Sequence, residues 1–130
     1  MQGRRSWSVI GVECDPVAIE CARDYVRDNG LDGRIELVCG TLEDIECQGR
    51  PLVNLVLANI DRQTLVLLAE GLAAYGLAGA RLLLSGLLVD QQAEIVERFS
   101  HLGLALARRR EQDGWVALEL LRPESCEGGR

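Results

Sequence analysis

The stretch LVNLVLA at residues 52–58 is almost continuously apolar, and Asn54 is its one polar residue. An apolar run of this length is typical of a β-strand that is buried on both faces of a parallel sheet. Asn59 follows directly, at the end of the strand where ligands approach open α/β sheets. The stretch therefore predicts an α/β fold with Asn59 at the carboxyl edge of the sheet.

Helical and extended patterns alternate after this stretch. Asp61 is a suitable N-cap for a helix, and Asp113-Gly114 predicts a tight hairpin between the last two strands. Phe99 and Trp115 are assigned to the core. The predicted elements are a helix with the apolar stripe Leu65, Leu68, Ala69 and Leu72, a strand at 80–84, a helix at 90–100, and strands at 104–108 and 115–121.

A strand, a tight turn and a helix are predicted near the N-terminal end, before the apolar stretch at residues 52–58. The first strand covers residues 7–12, Asp15 can cap the helix, and Pro16 suits its first turn. A second strand at 34–39 precedes a polar loop at 40–51. With the hairpin, this order predicts a mostly parallel sheet that has an antiparallel pair at one edge. The expected buried stripe of the helix is Ala18, Cys21, Ala22, Tyr25 and Val26.

The composition excludes several classes of protein. The chain of 130 residues has 14 Lys and Arg against 20 Asp and Glu, a net charge of −6, which does not suit direct nucleic-acid binding. Arg108, Arg109 and Arg110 are interpreted as a solvated strand end. Five cysteines without a C-x-x-C pair and one histidine fit neither a metal site nor a disulfide framework. No apolar run is long enough to cross a membrane, and a cytoplasmic location is expected.

Polar residues at the strand ends are the candidate binding groups. A carboxylate after a strand can accept hydrogen bonds from both hydroxyls of a ribose, so Glu13 is the candidate for that contact. The alternative is that Glu13 and Asp15 only stabilise a helix N-terminus. Asn59 is placed to orient a small group, or else it is a capping amide. Ser85 and Gly86 are interpreted as a turn.

Four segments in order carry a family resemblance. They are VIGVECDP at 9–16, ELVCGTLED at 36–44, LVLANI at 55–60 and RLLLSGLL at 81–88. Their order resembles the class I S-adenosylmethionine-dependent methyltransferases, and within them the PrmA family of ribosomal protein methyltransferases. The resemblance runs from about residue 9 to residue 123. It implies a Rossmann-like α/β fold whose sheet is mostly parallel with a C-terminal antiparallel hairpin.

The resemblance also implies a cofactor site and no metal. Glu13 would bind the ribose hydroxyls of S-adenosylmethionine, and Cys14 would lie beside the adenine. Asn59 matches the asparagine of the family's catalytic loop, where the methyl group and the substrate amine meet. Many methyltransferases of this class have an acidic residue in place of Thr41. The residues expected to flank the adenine are Gly40, Thr41 and Leu42.

The reaction implied by the resemblance is methyl transfer to amino groups of a protein of the large ribosomal subunit. A neutral amine would displace the sulfonium methyl group in line, and Asn59 would hold that amine through an oxygen. The reaction needs no covalent intermediate with the protein.

In this class the first strand ends in a Gly-rich loop, and no Gly-x-Gly precedes residue 9. Residues 1–122 are therefore expected to form a truncated domain without that first strand, with a flexible tail at 123–130. Weak cofactor binding and little or no activity are expected of the chain alone. Two alternatives stay open. One is a non-enzymatic fragment that associates with a partner chain or with itself through exposed strands. The other is half of a dinucleotide-binding oxidoreductase.

Overall fold

A computed structural model describes residues 7–47 and 52–124. At residues 46 and 47 it describes the backbone only. The chain divides into two compact units, residues 1–50 and 51–130, and each unit is described by itself. Residues 125–130 of the expected flexible tail lie outside the described part. The described strands form two sheets, one in each unit.

The first unit is a strand–helix–strand motif followed by a short helix. Strands β1 (Val9–Glu13) and β2 (Ile35–Cys39) are parallel, and helix α1 (Pro16–Asp28) connects them. The side chain of Asp15 caps α1 as predicted, and Gly30 ends the turn after it with a φ of 68°. The buried hydrophobic side chains described in this unit are Ile19 and Ile45.

Two expectations for the first unit were wrong. Cys21 and Tyr25 are exposed, because the inner side of α1 is formed by Ile19 with its half-buried neighbours Ala18, Ala22 and Val26. The segment expected to be a polar loop contains helix α2 (Leu42–Cys47). Its sequence combines an N-terminal cap with an apolar residue, Ile45, that turns inward.

The second unit has a four-stranded sheet in the order β3-β4-β6-β5. Strands β3 and β4 are parallel, whereas β6 is antiparallel to both β4 and β5. Asp113 and Gly114 form the hairpin turn with positive φ values, as their sequence predicts. The elements are β3 (Val53–Asn59), α3 (Arg62–Ala74), β4 (Gly76–Leu88), a 3₁₀ turn (Val89–Gln91), α4 (Gln92–Ser100), β5 (Ala105–Gln112) and β6 (Trp115–Leu121).

The core of the second unit lies on one face of this sheet. Leu82 and Leu84 of β4 have no exposed surface, and neither does Phe99 of α4, which confirms its core assignment. Leu65 and Ala69 of the predicted α3 stripe are equally buried. Strand β6 contributes alternate residues to the same core, namely Val116, Leu118 and Leu120.

The opposite face of the sheet is exposed within the described part of the chain. Leu57 keeps 68% of its surface accessible and Trp115 keeps 53%, so the expected double burial of β3 and the core assignment of Trp115 were wrong. The reason is that α3 and α4 cover one face only, and β3 is an edge strand. We call this surface the open face. Its large and charged residues are Leu55, Leu57, Arg81, Leu83, Leu88, Arg108, Arg110, Trp115, Glu119 and Leu121, which share a face by strand register.

Candidate functional site

Glu13 is the last residue of β1, at the carboxyl edge of the first sheet. Its Oε2 atom accepts a hydrogen bond of 3.0 Å from the backbone N–H of Asp15, and Asp15 Oδ1 accepts one of 3.0 Å from the N–H of Val17. Both carboxylates thus stabilise the start of α1, as the alternative interpretation predicted. The Glu13 side chain is also exposed and has no other hydrogen bond to described residues, so Oε1 is available to a ligand.

Backbone and side-chain contacts join the ends of β1 and β2. The N–H of Gly40 donates to the carbonyl of Glu13 at 3.0 Å. The thiol of Cys39 lies 4.0 Å from the carbonyl oxygen of Cys14, and both cysteines are exposed and unbridged. Pairing of the two strands places Glu13, Cys14 and Gly40 next to one another, as the sequence predicted for neighbouring strand ends.

Thr41 and Asp44 cap helix α2 reciprocally. Asp44 Oδ2 accepts hydrogen bonds from the N–H of Thr41 at 2.8 Å and from its hydroxyl at 3.3 Å, and Thr41 Oγ1 lies 3.4 Å from the N–H of Asp44. The same carboxylate occupies the space that a Cβ atom on Gly40 would need. Sequence reasoning missed Asp44, although a Thr-x-x-Asp pattern before Ile45 is the signal that indicates such a cap. Leu42 follows in the first turn of α2 and is half-buried.

Asn59 ends β3 in the second unit, where it pairs with Ser85 of β4. Gly86 follows with a φ of 79°, and a Cβ atom on Gly86 would overlap the Oδ1 atom of Asn59. Sequence reasoning interpreted Ser85 and Gly86 as a turn, but both lie within β4, and Gly86 closely approaches the side chain of the predicted catalytic residue. A glycine inside a strand often marks a bulge or a place where another group comes close to the backbone, and this is the signal that could have indicated the contact.

Asp61 caps the helix that follows Asn59. Its Oδ1 accepts from the N–H of Thr64 at 2.9 Å and its Oδ2 accepts from the hydroxyl of Thr64 at 2.9 Å. These bonds stabilise the charged carboxylate and lower the pKa of Asp61 below its usual value of 3.8. The cap fixes where the chain leaves the end of β3.

Stability should therefore depend on the charge of Asp61 at acid pH. Because its pKa is lower in the folded chain than in the unfolded chain, the charged cap stabilises the fold fully above the unfolded pKa. This contribution is lost as the pH falls through the folded pKa. We expect Asp61→Asn to lose less stability than the parent between about pH 4 and pH 2. Urea unfolding at several pH values in this range measures the free energy of unfolding of each protein. Asp90→Asn, at an exposed position, is the control. If the stability of the parent and of Asp61→Asn fell in parallel with decreasing pH, the charge of Asp61 would not contribute to stability.

Clusters of metal ligands and membrane-spanning helices are both absent from the described residues. There, no group of three or more histidine, cysteine, aspartate or glutamate side chains is arranged to hold a metal ion. No helix among residues 7–47 and 52–124 has the length and apolarity needed to span a membrane.

Comparison with known proteins places this arrangement in a family. The family model described as "Ribosomal protein L11 methyltransferase (PrmA)" matches residues 5–123. The ribosomal protein L11 methyltransferase of Geobacter metallireducens is 36% identical over 110 residues, which are 85% of this chain and 35% of that protein. The chain thus spans about a third of the length of this curated relative.

Solved structures show the same fold. The ribosomal protein L11 methylase of Lactobacillus delbrueckii subsp. bulgaricus has a TM-score of 0.81 at 19% identity, covering 90% of this chain and 59% of that one. The RNA methyltransferase of Salinibacter ruber in complex with S-adenosyl-L-homocysteine has a TM-score of 0.67 at 16% identity, covering 92% of this chain and 69% of that one. The fold is therefore the Rossmann-like fold that the motif order predicts. Because the family model matches most of the sequence, the chain belongs to the ribosomal protein L11 methyltransferase (PrmA) family.

Proposed function

We propose that this chain supplies the adenosine-binding edge and the amine-orienting residue of an S-adenosylmethionine-dependent protein methyltransferase. The observation that carries the proposal is the exposed carboxylate of Glu13 at the end of a parallel strand, with one oxygen held by the N–H of Asp15. That hydrogen bond fixes the direction of the carboxylate before any ligand arrives. A ribose with two vicinal hydroxyls is the group that such a carboxylate suits.

The neighbouring residues fit the rest of an adenosine. Gly40 has no side chain, which leaves room for the Asp44 carboxylate of the α2 cap, and we assign the backbone of Gly40 to the edge of the adenine. Cys14 and Leu42 provide apolar contact area near the same edge. Thr41 uses its hydroxyl and its N–H in the α2 cap, so we assign it a role in shaping the loop.

Asn59 is the residue that we assign to the substrate amine. Bound S-adenosylmethionine supplies a sulfonium methyl group that is open to in-line attack by an amine. The carbonyl oxygen of the Asn59 amide can accept a hydrogen bond from that amine and direct its lone pair, without adding a charge that would keep the amine protonated. Gly86 positions Asn59 through the close contact with its Oδ1 atom. The amine proton is released to solvent.

The substrate class follows from the family. Its relatives are named for ribosomal protein L11, and we extend that substrate, an amino group of a protein of the large ribosomal subunit, to this chain as part of the proposal. The net charge of −6 suits a basic protein substrate and opposes direct binding to a phosphate backbone.

Isothermal titration with S-adenosylmethionine and S-adenosylhomocysteine tests the cofactor site. We expect saturable binding of both, weakened about 10- to 100-fold by Glu13→Gln, since a hydrogen bond to a charged group contributes about 1.5–3 kcal/mol. Glutamine keeps an acceptor for the N–H of Asp15, so the loop stays folded. The matched control is Glu20→Gln, an exposed glutamate of α1.

Two outcomes would overturn this assignment. Equal affinity of the parent and Glu13→Gln would mean that Glu13 serves only the helix N-terminus. Displacement of the bound ligand by a nicotinamide dinucleotide at similar concentration would favour the oxidoreductase alternative, because the same carboxylate suits that ribose.

A further inference from the structure

Cys14 and Cys39 lie at the carboxyl ends of the two paired strands of the first unit. Glu13 is the register partner of Cys39, and Cys14 is the next residue along the chain. Both cysteines are exposed and unbridged, and the Sγ atom of Cys39 lies 4.0 Å from the carbonyl oxygen of Cys14. The proposed methyl transfer uses neither thiol as a nucleophile. The chemistry of these two neighbouring thiols is therefore not explained by that reaction.

The backbone spacing suits a disulfide bond between the two cysteines. Neighbouring strands are about 4.8 Å apart and one residue advances about 3.3 Å, so the Cα atoms of Cys14 and Cys39 are about 6 Å apart. Disulfide bonds span Cα–Cα distances of about 4.4–6.8 Å. The hydrogen bond from the N–H of Gly40 to the carbonyl of Glu13, at 3.0 Å, maintains this spacing where the strands end. Rotation of the two side chains can therefore bring the sulfur atoms together while the strands stay paired.

The strand pairing also selects these two cysteines over Cys21. Cys21 is exposed on α1, and at about 1.5 Å per residue it lies about 8 Å along the helix from Pro16. It makes no contact with Cys14 or Cys39 comparable to the one at the strand ends, within the part of the chain that the structure describes. The side chains of Cys47 and Cys126 lie outside that part.

We propose that Cys14 and Cys39 form a reversible disulfide bond when the chain is exposed to a small disulfide such as oxidised glutathione. One protein thiolate attacks a sulfur of the oxidant and releases a first glutathione thiolate. The second protein thiolate then attacks the protein sulfur of the mixed disulfide and releases a second one. Two electrons pass from the cysteines to the oxidant, and the two thiol protons are taken up by the released glutathione. The S–S bond of the oxidant is thus exchanged for one between the strand ends.

The disulfide bond has a consequence for ligand binding at this edge. Cys14 is assigned to the adenine, and a bond to Cys39 draws its sulfur atom toward β2 and out of that contact. We expect the oxidised chain to bind S-adenosylhomocysteine about 10-fold more weakly than the reduced chain. This consequence rests on the proposed function, whereas formation of the disulfide bond does not.

Peptide mapping of the full chain by mass spectrometry tests the disulfide bond. Cleavage after glutamate isolates the two cysteines, because residues 14–20 contain Cys14 alone and residues 37–43 contain Cys39 alone. The dilute chain is equilibrated with oxidised glutathione, and the remaining thiols are blocked before cleavage. We expect these two peptides to be joined as the main cross-linked pair and to separate after reduction with dithiothreitol.

Two serine variants serve as test and control. Cys14→Ser should abolish the cross-linked pair, whereas Cys21→Ser, at the exposed cysteine of α1, should leave it unchanged. Circular dichroism verifies that each variant is folded. Residues 14–20 joined mainly to another cysteine peptide would overturn the proposal. Glutathione retained on both thiols without a cross-link would do so as well.

Titration of the reduced and the oxidised chain with S-adenosylhomocysteine is evaluated separately. Weaker binding by the oxidised chain, reversed by dithiothreitol and missing in Cys14→Ser, would support the effect on the edge. Equal binding by a chain that carries the disulfide bond would overturn that effect. Absence of binding in both forms would contradict the proposed function, while the peptide map would still decide whether the disulfide bond forms.

Discussion

Leu84→Ala is expected to lower the free energy of unfolding by about 3–5 kcal/mol, whereas Leu83→Ala should cost less than about 1 kcal/mol. The two leucines are adjacent in β4 but face opposite sides of the sheet. Leu84 has no exposed surface and packs in the core with α3 and α4, so its truncation leaves a cavity. Leu83 is 38% exposed on the open face, where solvent fills the space of the lost atoms.

Urea denaturation followed by circular dichroism measures both values. Domain stabilities of about 5–15 kcal/mol make a loss of this size visible as a large shift of the midpoint. Similar losses for the two variants would show that both faces of β4 are packed, and would contradict the description of the open face.

Gly86→Ala is expected to destabilise the second unit by about 2–5 kcal/mol and to displace the side chain of Asn59. Two costs add. A residue with a Cβ atom at a φ of 79° costs about 1–2 kcal/mol, and the overlap with Asn59 Oδ1 adds a packing strain of about 1–3 kcal/mol. Gly114→Ala is the matched control, since Gly114 has a φ of 84° and nothing within 4 Å of its Cβ position.

The side-chain amide signal of Asn59 in a nitrogen–proton correlation spectrum reports its position. The chain has three asparagines, so the assignment by an Asn59→Ala variant is direct. We expect Gly86→Ala to shift that signal and Gly114→Ala to leave it in place. If Gly86→Ala destabilised the fold no more than Gly114→Ala and left the signal unmoved, then Gly86 would not position Asn59.

Local sequence patterns predicted most elements because their causes are local. Asp15 and Asp61 accept hydrogen bonds from backbone N–H groups two or three residues ahead, and Asp113-Gly114 adopts the positive φ values of a hairpin. These features need no knowledge of the tertiary structure. The motif order then predicted the family, which the match over residues 5–123 confirms.

Burial was predicted less well, because it depends on what covers a residue. The apolar run in β3 shows that both faces of the strand are suited to burial, but Leu55 and Leu57 remain exposed since α3 and α4 cover one side only. Tyr25 and Trp115 were assigned inward for the same reason and lie outside.

At the candidate site, sequence predicted positions but not contacts. Glu13 and Asn59 lie at strand ends, as the alternation of strands and helices requires. The contact of Gly86 with Asn59 joins residues 27 positions apart in the chain, and it becomes visible only when β3 and β4 pair in register. The roles of Glu13 in the cofactor site and of Asn59 toward the amine stay predictions until the titrations and the Asn59 measurements are made.

The small core of the first unit has a consequence for how its edge binds a ligand. Ile19 and Ile45 are the buried hydrophobic residues described there, whereas the second unit buries many more. Segments with little apolar burial open locally at low free energy, so we expect the edge containing Glu13 to open more often than the second sheet does. A ligand that binds only the ordered state shifts this population, and part of its binding free energy goes into ordering the protein. Substitutions that enlarge the contacts of Ile19 would then tighten binding from a distance, by preorganising an edge they do not touch.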